Sequence, residues 1–142
     1  MITFIKEDEN KVKTTILRSA FLQGIDPKQS TCLLPMPGNY AGGNVEVEVF
    51  WHHDKQAGFA ASIEISGALL EEGNNISVDD LDFGEPVDIA DSGDPGYLIK
   101  SVGGLTIGNG LCGANDTILF RLIKSDPDIC IESLGLTYKK VN

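Results

Sequence analysis

The chain has 142 residues, 42% hydrophobic and 23% charged, which excludes a disordered polypeptide and supplies enough chain for one domain with a real core. Its formal charge is −10, and such an acidic surface repels phosphate backbones, which argues against nucleic acid as a partner. No apolar run approaches the ~18 residues that a membrane helix needs, and Met1–Asn10 turns acidic too soon for a secretory signal, so the expectation is a protein made in the cytoplasm without membrane insertion.

In chain order, residues 1–14 read as an N-terminal arm and residues 15–142 as a β-sandwich domain. The stretch Lys13–Leu22 is an ambiguous, weak strand candidate: Thr14–Leu22 has room for a short helix, but Gly24 and Pro27 would end it quickly and the two Thr favour a strand. Leu34–Gly43, with Pro35, Pro37 and Gly38, reads as an extended arm ending in turns. Period-two alternation is clearest next: Val45, Val47, Val49 and Trp51 share one face, and Glu46 and Glu48 point the other way. Phe59, Ala61, Ile63 and Ile65 repeat the pattern after the short polar link His52–Gly58, so the two segments read as a hairpin.

Segment Leu69–Asp82 has room for one short helix capped at Ser77. Gly84–Gly96 reads as a loop or irregular edge, Tyr97–Val102 as a weak strand, and the glycines of Gly103–Gly110 as turn residues. In Thr117–Ile123 the side chains of Ile118, Phe120 and Leu122 face inward and Arg121 faces out. A turn at Ser125–Asp128 precedes a last strand near Cys130–Lys139, in which Leu134, Leu136 and Tyr138 alternate. Many short strands, 16 Gly and 6 Pro predict an all-β antiparallel β-sandwich, jelly-roll-like, with at most one short helix.

Chemistry-bearing residues are sparse. Cys32, Cys112 and Cys130 are widely spaced, form no Cys-x-x-Cys, and read as small buried thiols. His52-His53-Asp54 is the sole histidine cluster, but neighbours on a strand point to opposite faces, so the pair reads as polar loop residues rather than a metal site. Ten acids from Glu64 to Asp94 stand in a stretch between Lys55 and Lys100 that has no base. The segment Asp79–Asp94 lacks EF-hand spacing and reads as a solvated face. There is no Gly-x-Ser-x-Gly elbow and no phosphate loop. Trp51 reads as core, with a sugar-stacking platform beside Tyr40 and Tyr97 as the sharper alternative. No catalytic, cofactor-binding or metal residue is assigned, no cofactor is expected, and the chain reads as non-enzymatic.

The order of Leu34–Gly43, the Trp-ending strand Val45–Trp51, the Gly58-initiated strand, Asp116–Leu122, the acidic turn Ser125–Asp128 and Leu134–Tyr138 resembles a β-sandwich domain of phage virion proteins. That domain occurs at tail-fibre tips and as small stand-alone structural proteins. The resemblance spans roughly residues 33–139 and implies assembly into trimers or larger rings, with no chemistry of its own. The expectation is therefore a virion structural protein, made in the host cytoplasm, that decorates or cements a capsid by binding the major capsid protein or other virion proteins. The alternative is a tail-fibre or receptor-binding tip that recognises host glycans, and a free lectin-like module stands third. A homo-oligomer, with a trimer favoured, is expected in each case, because open sheet edges are normally covered by a symmetry mate.

Overall fold

The computed structural model describes residues 11–17, 22–23, 28–73, 81–110 and 112–141. Among the described residues nine strands run in chain order: β1 Lys11–Leu17, β2 Leu22–Gln23, β3 Gln29–Pro35, β4 Val45–His52, β5 Phe59–Leu70, β6 Val87–Gly93, β7 Ile99–Leu105, β8 Thr117–Lys124 and β9 Cys130–Lys139, with a 3-10 turn at Ile107–Gly110. They form two antiparallel sheets, β1-β9-β4-β7 and β2-β3-β8-β5-β6. The pairs β1–β9, β3–β8, β4–β7 and β5–β6 are nested from the chain ends inward, the winding of a jelly roll.

The alternating residues build the core as their pattern demands. Val47, Val49, Trp51, Ile65, Ile118, Phe120 and Leu134 are fully enclosed between the sheets, and Val45, Ile63, Leu122 and Leu136 are almost so. A chain with one apolar and one wet face per strand reaches low energy by pressing two apolar faces together, and the sandwich does this throughout.

Strand pairing departs from the expected hairpin. β4 lies in the four-stranded sheet and β5 in the five-stranded one, so the connection 53–58 arches across the sandwich. Alternation fixes which side of a strand is dry, and a hairpin and an arch need the same pattern. The stretch around Gly84–Gly96, expected to be loop or irregular edge, contains strand β6 at the edge of its sheet. Gly103 and Gly104, expected to be turn residues, lie inside β7. β1 begins at Lys11, inside the stretch expected to be an arm, and pairs with β9 along its length; residues 1–10 lie outside the described residues. Of the expected helix in Leu69–Asp82, Leu69 and Leu70 finish β5 and residues 74–80, Ser77 among them, lie outside the described residues.

The Pro/Gly-rich arm crosses from one sheet to the other. Met36 N donates to Asp116 O at 2.7 Å, Ala41 N to Lys139 O at 2.8 Å, and Tyr40 bridges to Lys140. Gly42 and Gly43 then take φ of 84° and 85°, a region that costs other residues about 1 kcal/mol or more, and this lets the chain swing into β4. Phe83 caps the outer face of the five-stranded sheet by lying 4.0 Å over the Arg121 guanidinium.

Two adjacent glycines of β7 do opposite things. A Cβ on Gly103 would sit 2.8 Å from Val87 Cγ2 and 3.1 Å from Ile89 Cγ1, because β6 packs directly on it; one on Gly104 would meet nothing within 4 Å. Gly103→Ala is expected to destabilise by about 1–3 kcal/mol through overpacking, while Gly104→Ala stays neutral or gains a few tenths. Urea unfolding of the two variants checks this, and equal midpoints would refute the packing argument.

Candidate functional site

The outer face of the four-stranded sheet holds the chemistry that the core leaves over. Register places its side chains in rows across the strands: Lys13, Thr137, Glu46 and Gly104 in one, then Thr15, Gly135, Glu48 and Val102, then Ser133, Phe50 and Lys100. Gly135 has no side chain, so the Lys13 stem lies across it, and the ammonium pairs with Glu48 at 3.0 Å.

At the Glu46 end this face is hollowed into a shallow cleft of about 290 Å³. Gly104 and Val102 floor it, and Lys11, Asn44, Glu46, Thr137 and Lys139 supply donors and acceptors around it. Val102 is 49% exposed. Tyr97 and Leu98, also exposed, stand just before β7 at the far end of the same sheet.

That far end carries a second grouping. β4 pairs with β9 in register up to Phe50↔Ser133, and the next pair is Trp51↔Ile131, so Glu132 is an extra residue on β9, a β-bulge. A bulge breaks the alternation and re-aims a side chain. Here it sets Glu132 beside His52 and Cys130: His52 Nε2 lies 2.7 Å from Glu132 Oε1, and Cys130 Sγ donates to the same oxygen at 3.3 Å. Next to it, Lys55 ties the β4–β5 arch to the β8–β9 turn, reaching Asp128 at 2.8 Å and Asp126 at 3.7 Å. The hydrogen bond to Asp128 raises the Lys55 ammonium above its usual range and lowers the Asp128 carboxyl below its own.

The two histidines do face opposite ways. His53 is buried, its Nε2 donating to Gly93 O at 2.7 Å while Nδ1 accepts from Lys55 N at 3.0 Å, so the ring is held as the Nε2–H tautomer. It stacks between Trp51 and Phe59, a core role rather than the expected polar loop role. Trp51 has no exposed surface and Tyr40 is buried, which removes the sugar platform considered for Trp51. Of the thiols, Cys32 and Cys112 are buried as expected; Cys130 is half-exposed instead, on the outer face with His52.

The acidic stretch does not converge on a point within its described part. Asp82 accepts from Gly84 N, Asp88 from Ser62, Asp91 from Ser92 N and Ser101, and Asp94 from Gly58 N, each serving a separate turn or strand. His52, Cys130 and Glu132 are the one group of three such ligands found close together among the described residues, and sequence reasoning missed it. A signal was present: the apolar residues fall on odd numbers at Ile129 and Ile131 and on even numbers at Leu134, Leu136 and Tyr138, a parity break that marks a bulge.

No family model and no curated protein matches the chain. Among solved structures it is similar to the CBM35 carbohydrate-binding module from Cellvibrio japonicus Abf62, with a TM-score of 0.51 and 9% identity over 92% of this chain and 99% of that one. It also resembles a part of dimeric latent PorU from Porphyromonas gingivalis, with a TM-score of 0.48 and 9% identity over 92% of this chain and 13% of that one. A third likeness is to the Clostridium thermocellum N-terminal endo-1,4-β-D-xylanase 10B, in its CBM22-1 and GH10 modules with xylohexaose, with a TM-score of 0.46 and 10% identity over 93% of this chain and 25% of that one. At these identities the likeness is one of fold, and the fold is the all-β sandwich already described.

Proposed function

We propose that this chain is a non-enzymatic binding module that holds a neutral glycan in the cleft on the outer face of the four-stranded sheet. The observation that carries the proposal is the floor of Gly104 and half-exposed Val102 ringed by Lys11, Asn44, Glu46, Thr137 and Lys139. A pyranose presents an apolar ring face and a belt of hydroxyls that both donate and accept. A flat apolar floor with donors and acceptors at its rim complements both features. The net charge of −10 disfavours a polyanionic glycan. The sandwich shared with a carbohydrate-binding module of nearly the same extent supports this reading without supplying it.

The test follows from Gly104, where an added Cβ would meet nothing within 4 Å and a longer side chain would stand in the cleft. On a panel of neutral polysaccharides in native affinity gels, the parent chain is expected to be retarded by at least one. Gly104→Leu is expected to abolish the retardation with an unchanged urea midpoint. No retardation on any polysaccharide, or equal retardation of the variant, would remove the proposal.

A structural role in a phage particle is the second reading, and one observation favours it. Leu33, 58% exposed, shares the outer face of the five-stranded sheet with Leu119 and Pro35, an apolar row that a second copy or a capsid protein would cover. Light scattering is expected to give a trimer in that case, and immunogold labelling of particles to place the chain on head or tail. A monomer at all concentrations that is absent from particles would end this reading.

A further inference from the structure

We propose that His52, Cys130 and Glu132 form a binding site for a borderline-soft divalent cation, zinc in particular. This goes beyond the glycan reading and does not depend on it. His52 and Glu46 stand six residues apart on β4, which separates the two sites by about 20 Å.

The three ligand atoms, His52 Nε2, Cys130 Sγ and a Glu132 carboxylate oxygen, all lie within 4.8 Å of one another. The imidazole nitrogen and the thiol both converge on the same Glu132 oxygen, at 2.7 and 3.3 Å. Bonds of about 2.0–2.3 Å in tetrahedral geometry put donor atoms about 3.3–3.7 Å apart. The sulfur–oxygen pair is already at that spacing, and the nitrogen–oxygen pair needs to open by about 0.6 Å, within reach of a side-chain adjustment. On binding, the thiol coordinates as thiolate with its proton released to solvent, and the imidazole coordinates through Nε2.

Ligand type selects the ion. One sulfur, one nitrogen and one oxygen suit zinc and its neighbours; calcium and magnesium take oxygen sets. The backbone provides two of the three positions rigidly, because His52 and Cys130 are register partners across β4 and β9. The bulge brings in the third. His52 and Glu132 side chains are 35% and 40% exposed, so an ion has an entry path, and the fourth position is left to water or an outside ligand.

Cobalt(II) reports the site directly, because a thiolate ligand gives a charge-transfer band in the near ultraviolet and tetrahedral coordination gives intense visible bands. Titration of the reduced chain with cobalt(II) is expected to produce both, saturating at one equivalent and bleached by zinc but not by calcium. Cys130→Ser is expected to abolish the charge-transfer band, and His52→Gln and Glu132→Gln to weaken binding, with far-ultraviolet circular dichroism unchanged in all three. Absence of the bands in the parent chain would overturn the proposal. So would a band that survives Cys130→Ser, which would come from another thiol, or one that His52→Gln and Glu132→Gln leave untouched, which would reduce the site to a single reactive thiol.

Discussion

Trp51→Ala is expected to cost about 3–5 kcal/mol of unfolding free energy, the range for emptying a large aromatic site in a packed interior. Against a total of about 5–15 kcal/mol for a natural domain, that leaves the variant marginal. Trp51 has no exposed surface and sits where β4 meets both β7 and β9, at the step where the β9 register slips. The indole stacks on His53 at 5.9 Å, so its loss also loosens the root of the β4–β5 arch. Its Nε1 donates to Ser101 Oγ at 3.0 Å, and that hydroxyl donates to Asp91 Oδ2 at 2.6 Å, a relay from the core of one sheet to the edge strand of the other. Trp51→Phe keeps most of the volume and removes only the donor, leaving Ser101 with one partner; its expected cost is about 1–2 kcal/mol. Urea unfolding of the two variants separates the contributions. Equal losses would mean that the relay, not the filled volume, dominates at this position.

The same residue shows how far the sequence could be read. Val45, Val47, Val49 and Trp51 announced their face through strict alternation, and the structure buries all four. Alternation reports burial and not partnership, so the sequence pattern pairs β4 with β5, its neighbour in the chain, whereas its hydrogen-bonded partners are β7 and β9. The pairing energy that decides between these lies in contacts across most of the chain, and no local window contains it. Gly103 misled for a related reason. In sequence a Gly-Gly pair signals a turn, but here the missing Cβ makes room for Val87 and Ile89 of β6.

The candidate metal group was hidden more deeply. His53 faces away from His52, as adjacent strand residues must, and the companions of His52 are Cys130 and Glu132, some eighty positions on. A regular strand continued back from Tyr138, Leu136 and Leu134 would turn Glu132 and Cys130 inward. The bulge reverses that parity, which only the paired register reveals. The cleft on the four-stranded sheet was legible only as composition, since Lys11, Asn44, Glu46, Gly104 and Thr137 come from separate parts of the chain.

Alkaline pH is expected to unfold the chain through Tyr40 and Cys112. Burial pushes the Tyr40 phenol from its ordinary 10.0 up to about 12, with the Cys112 thiolate adding repulsion. Burial likewise pushes the Cys112 thiol from 9.0 up to about 11, helped by the Asp116 carboxylate. In both cases the folded state holds the proton more tightly than the unfolded chain. The stability this gives is therefore complete below pH 9.0, declines as the unfolded groups begin to ionise, and is fully lost once pH passes about 12. The two contributions do not add fully, because part of the Tyr40 shift is the Cys112 charge itself. Tyr40 Oη also donates to Gly43 O, at the turn that launches β4, so ionisation removes a bond that shapes the arm. Guanidinium unfolding from pH 8 to pH 12 is expected to show the decline in the parent chain. Cys112→Ala should remove its earlier part and Tyr40→Phe its later part, the latter at a cost of about 0.5–1.5 kcal/mol near neutrality for the lost hydrogen bond. Lysine deprotonation also weakens so acidic a chain at high pH, so the decisive quantity is the difference between parent and double variant. If Tyr40→Phe with Cys112→Ala declines as steeply as the parent between pH 9 and pH 12, the surface charge and not these two buried groups sets the alkaline limit.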